Sequence, residues 1–111
     1  MRIDDDFDDF EFMLTCECEP EPIEGNCSAW DPETDAETAR WILKELEAGN
    51  EWAWCCVTVT TSLEIDGKTY KGFASLGCCS YESEADFRNT DYYSDLCLEA
   101  FRDLQAVVHC L

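Results

Sequence analysis

The chain has 111 residues, 46% of them apolar and 13% aromatic, which is enough for one folded domain and too apolar for a disordered tail. Its 26 Asp and Glu against seven Lys and Arg leave a net charge of −19. That excess repels nucleic-acid phosphates and anionic membranes, argues against direct binding to either, and attracts strongly basic surfaces.

Solubility needs a net charge magnitude of only about 2–8 in a small domain. A halophile surface would tolerate more, but nine cysteines and a rich aromatic content fit it poorly. A functional acidic surface is the better account of the charge.

The opening "MRIDDDFDDF" holds Asp4, Asp5, Asp6, Asp8 and Asp9, with Ile3 and Phe7 as apolar anchors. It lacks a basic segment followed by a long apolar run, so it does not read as a signal peptide. No stretch approaches the roughly 20 apolar residues of a membrane span. The expected location is the host cytoplasm, where cysteines stay reduced.

"FEFMLTCEC" then alternates as a half-buried strand. Phe10, Phe12, Leu14, Cys16 and Cys18 face one way, and Glu11, Met13, Thr15 and Glu17 the other. "EPEPIEGN" is an extended loop. "DPETDAETARWILKELEAGN" predicts a helix with Asp31 as N-cap, Pro32 at its first position and Glu33 in its first turn. Its apolar stripe is Ala36, Ala39, Ile42, Leu43 and Leu46, and Gly49 ends it.

"EWAWCCVTVTTSLEI" and "KTYKGFASLGCCSYE" flank Asp66–Gly67, the signature of a hairpin with a type I′ turn. That turn sets Val57 opposite Leu76, Val59 opposite Ala74 and Leu63 opposite Tyr70, building one core face with Cys55 and Cys78. The other face would carry Trp52, Trp54, Cys56, Phe73, Cys79 and Tyr81. Either the N-terminal strand or a loop covers it, or Trp52, Trp54, Phe73 and Tyr81 form an apolar patch for a partner or a homodimer. "SEADFRN" reads as a loop. From about Asp91 to Cys110, a helix follows with Tyr93, Leu96, Cys97, Ala100, Phe101, Leu104, Val107, Val108 and Leu111 at 3.6-residue spacing. The expected fold is a single small α+β domain over residues 1–111, ordered β-α-β-β-α, an antiparallel sheet with two helices on one face.

Nothing in the pattern points to catalysis or to a cofactor. The one histidine, His109, sits where a last-turn cation meets the helix dipole, and no phosphate-binding or nucleophile motif is present. "CEC" at 16–18 with Cys27, or Cys110 beside His109, could supply metal ligands. No C-x-x-C pair exists, however, and the cysteines serve better as small apolar residues, so no metal is expected.

The final helix is more informative. Asp91, Asp95, Glu99 and Asp103 recur at every fourth position, where like charges repel by a few tenths of a kcal/mol per pair. Each step rises ~6 Å, close to the phosphate spacing along one nucleic-acid strand. Arg102 can reach Glu99 without neutralising the row. The bland account is a solvated outer face with Asp91 capping. The functional one is a row of phosphate-like charges, extended by Asp4, Asp5, Asp6, Asp8, Asp9 and Glu11. Another acidic cluster, Asp31, Glu33, Asp35 and Glu37, is partly explained by the electrostatics of a helix N-terminus.

"LGCCSYESEADF" followed by "YYSDLCLEA" resembles small proteins of phages and mobile elements. In length, acidity and absence of catalytic motifs the chain also resembles DNA-mimic inhibitors of the anti-restriction, anti-CRISPR and uracil-DNA glycosylase inhibitor type. The second likeness is one of class, carries no shared motif and assigns no site residue. It implies a non-enzymatic inhibitor that occupies the basic nucleic-acid channel of a host defence complex.

Overall fold

The computed structural model describes residue 7 and residues 10–27 and 31–111. Asp4, Asp5, Asp6, Asp8, Asp9 and Ile3 lie outside the described residues. The elements are β1 (Met13–Cys18), α1 (Pro32–Glu47), a single 3-10 turn (Glu51–Ala53), β2 (Cys55–Ile65), β3 (Lys68–Cys79), α2 (Glu84–Arg88) and α3 (Asp91–His109). The fold is α+β, with an antiparallel sheet in the order β1-β2-β3. The expected order holds, with α2 added where the sequence suggested a loop.

By internal contacts the chain divides into two compact units, and β2 and β3 contribute to both. The first comprises residues 1–15, 58–75 and 90–111. It contains the hairpin turn, where Asp66 and Gly67 take φ of 51° and 81°, the positive values that a type I′ turn requires. The expected register is visible in the hydroxyls of Thr58 and Ser75, which meet across the strands at 2.9 Å. The inward face presents Val59, Thr61, Leu63, Ile65, Tyr70, Gly72 and Ala74. Buried Thr61 satisfies its hydroxyl by donating to the Glu11 carbonyl at 2.9 Å.

α3 lies on that face at Gly72. A Cβ there would overlap the Ala100 carbonyl oxygen and sit 2.8 Å from the Leu104 Cβ, so the close approach requires glycine. Phe101, Leu104 and Val108 form the core with Phe7, Phe10, Phe12, Leu63, Ile65 and Tyr70 around them. β1 begins later than the alternation suggested because Phe7 and Phe10 turn onto Phe101 instead of continuing the ladder, their rings meeting it edge-on at 5.6 and 5.0 Å. Val107 and Leu111, expected on the apolar stripe, are exposed.

The second unit comprises residues 16–57 and 76–89. Asp31 caps α1 as expected, accepting from the Thr34 N–H at 2.8 Å. Ala48 is the C-cap, and Gly49 follows with φ 94°, the left-handed residue that closes such a helix. Asp35 ties the preceding loop to α1 by accepting from the N–H groups of Gly25 and Cys27 at 2.8 and 3.3 Å. Ile42, Ala53 and Trp54 form the core, with Ile23, Cys27 and Leu46 packed against it. Leu43, placed on the stripe by its spacing, is exposed.

Two features here depart from the alternation. Cys78 has φ 51°, which breaks the pleat, so Cys78 is exposed and Cys79 is buried, the reverse of the expected faces. And α2, capped by Ser83 accepting from the Asp86 N–H at 3.1 Å, brings the fully buried Phe87 against Trp52 and Tyr81.

Candidate functional site

The acids of α3 point where the apolar stripe is absent. Asp91, Asp95, Glu99 and Asp103 are all exposed. They do not form a straight row, because four residues turn a helix by about 400°, so each step drifts by about 40°. Over the three steps the drift carries Asp103 round to the flank that meets the sheet. There its Oδ2 accepts the Phe73 N–H at 2.9 Å. β3 is the end strand of the sheet, so its outward N–H groups lack a strand partner, and Asp103 supplies one. Asp103 is therefore a structural carboxylate, while Asp91, Asp95 and Glu99 form the outward set. Arg102 lies among them and makes no ion pair with Glu99 or with any other described residue.

Tyr92 and Leu98 flank this set, 58% and 38% exposed, and the charge pattern alone does not reveal them. The available signal was that neither falls on the apolar stripe. Tyrosine beside carboxylates suits a protein interface, which favours aromatic side chains with a polar end. Glu11 is exposed and belongs to the same unit as α3, so it remains a candidate extension of the acidic set.

The aromatic face of Trp52, Trp54, Phe73 and Tyr81 is corrected. Trp54 is 4% exposed, packs with Ile42 and Ala53, and donates its indole N–H to the Glu21 carbonyl at 2.9 Å. Trp52 and Tyr81 sandwich Phe87, with ring centroids 5.7 and 5.0 Å away. Their backbones are joined by the Tyr81 N–H donating to the Trp52 carbonyl at 2.7 Å. Phe73 alone stays on the open face, in the other unit. Alternation fails because Trp52 sits in a 3-10 turn rather than a strand, and because the pleat breaks at Cys78.

All nine cysteines are thiols. Burial pushes the Cys55 thiol well above its ordinary value and that of Cys79 up to about 11, with neighbouring cysteines adding to both shifts. Cys16 is raised by burial despite an opposing hydrogen bond from Cys55, and Cys27 by burial and Asp35. These environments keep thiols protonated, the opposite of what a nucleophilic cysteine needs. Among the described residues no group of three or more His, Cys, Asp and Glu side chains is placed to hold a metal ion, and no helix is long and apolar enough to cross a membrane.

Glu19 is a buried carboxylate that the sequence did not single out. Its Oε2 accepts the Cys78 N–H at 2.8 Å and its Oε1 the Glu21 N–H at 3.2 Å, beside Gly77. It fastens the break in β3 and serves the fold. No family model matches the chain, and neither a curated protein nor a solved structure was found to be similar to it.

Proposed function

We propose that this protein is a non-enzymatic inhibitor that occupies the basic nucleic-acid-binding surface of a host defence complex by charge mimicry. The observation that carries the reading is a net charge of −19 combined with Asp91, Asp95 and Glu99 exposed along one 19-residue helix. The opposite face of that helix is held by Phe101, Leu104 and Val108, so the charges stand on a rigid element. Carboxylates fixed in this way pair with the Lys and Arg that ordinarily hold phosphates, with bidentate geometry where Arg is present. The charge of the whole chain accelerates encounter with a basic channel. Tyr92 and Leu98 add apolar contact beside the charged set.

The experiment is to neutralise the outward set. Asp95→Asn with Glu99→Gln is expected to leave the fold intact and to weaken partner binding by roughly 2–5 kcal/mol, measured by calorimetric titration. Asp103 is left untouched because it holds β3. Unchanged affinity in the double variant would falsify the assignment of the site to α3.

A further inference from the structure

The solvent side of α1 mixes large apolar groups with charges of both signs. Trp41 and Leu43 are 41% and 47% exposed, and with Arg40, Lys44 and Glu47 they line a shallow open depression. Arg40 and Lys44 are two of only seven Lys and Arg in a chain of −19, and both are exposed. Neither Arg40 nor Lys44 makes an ion pair among the described residues. An exposed tryptophan beside unpaired cations departs from the ordinary solvated side of a helix, which is charged and lacks large apolar groups.

We infer that this face of α1 docks a second copy of the same chain, helix against helix and antiparallel, about a two-fold axis passing between Leu43 and Lys44. Arg40 and Glu47 lie seven residues apart, two turns along one side of the helix. In an antiparallel pair centred between 43 and 44, residue 40 of one copy faces residue 47 of the other, and the reverse holds by symmetry. The patch is thus complementary to itself, as an isologous interface must be. Two Arg–Glu pairs form, Leu43 meets Leu43 of the copy on one side of the seam, and on the other side the two Lys44 heads extend out to water.

The contact area on one helix face is small, so the dimer is expected to be weak and in rapid exchange. Repulsion between two chains of −19 opposes it at low ionic strength and is screened at higher salt. This inference does not rest on the proposed inhibitor function, since it uses a different helix and a different charge.

The test is sedimentation equilibrium of the full chain at about 300 mM salt, where the Debye length is short enough to screen the net charge. The wild type is expected to show a concentration-dependent dimer. R40E should weaken it at least tenfold, and R40E with E47R should restore it, because the pair is re-formed with its charges exchanged. Circular dichroism should show all variants equally folded, since both positions are exposed. A wild type that stays monomeric at high concentration overturns the proposal, including the case where the patch instead takes an acidic peptide of another protein. A dimer insensitive to R40E, or one that the double exchange fails to restore, also overturns it.

Discussion

At Glu19 a carboxylate is spent on two backbone N–H groups, those of Cys78 and Glu21. Hydrogen bonds to a charged acceptor contribute about 1.5–3 kcal/mol each, and their loss leaves two part-buried N–H groups without this partner. Glu19→Ala is therefore expected to lower stability by about 3 kcal/mol in urea unfolding, and Glu19→Gln, with one carbonyl oxygen left, by less. Gly72 makes a second sharp case. Because a Cβ would collide with the Ala100 carbonyl and Leu104, Gly72→Ala must push α3 off the sheet, at a cost of about 1–3 kcal/mol or more by the usual scale of overpacking, read from the same unfolding curves. Neither residue was legible in the sequence. A glutamate among 26 acidic residues gives no local sign that it is buried, and a glycine in a strand marks a close approach without saying to what.

At the scale of elements, local chemistry was legible wherever it is self-contained. Asp31 and Pro32 start α1, Asp66–Gly67 closes the hairpin with positive φ at both positions, and the 3.6-residue stripe of α3 is buried over Leu96–Val108 apart from Val107. What depends on remote partners was not legible. α2 has five residues, too few to show a period, and it is held by Phe87 packing on Trp52 and Tyr81. The spacing of the acids on α3 places them off the apolar stripe and exposed, whereas the contact of Asp103 with Phe73 depends on a strand 30 residues away in sequence. The cap of α1 makes a prediction with a definite sign. Hydrogen bonds from Thr34 hold the Asp31 carboxyl below its ordinary value. Its contribution is therefore present above the unfolded carboxyl value and lost as pH falls through the lower folded one. Asp31→Asn keeps a capping oxygen that does not titrate. Its melting temperature should fall less steeply than that of the wild type below about pH 4, the ordinary range of an Asp carboxyl; parallel curves would show that the cap does not contribute to the acid response.

The whole molecule holds −19 on 111 residues, and self-repulsion of that size works against the folded state. Both compact units counter it by internal ties: the aromatic cluster on Phe101 in one, and the Asp35 and Glu19 clamps in the other. On this account the charge is tolerated because the surface is used. The most direct measurement is displacement of a labelled DNA duplex from the basic channel of purified restriction and CRISPR effector complexes, titrated with this protein at about 50 and about 500 mM salt, a range over which the Debye length falls severalfold. The account predicts that at least one such complex releases its duplex at the lower salt, and that the protein's affinity for it falls at least tenfold at the higher. Failure to displace the duplex from any of them, or an affinity that stays flat across the range, would contradict it.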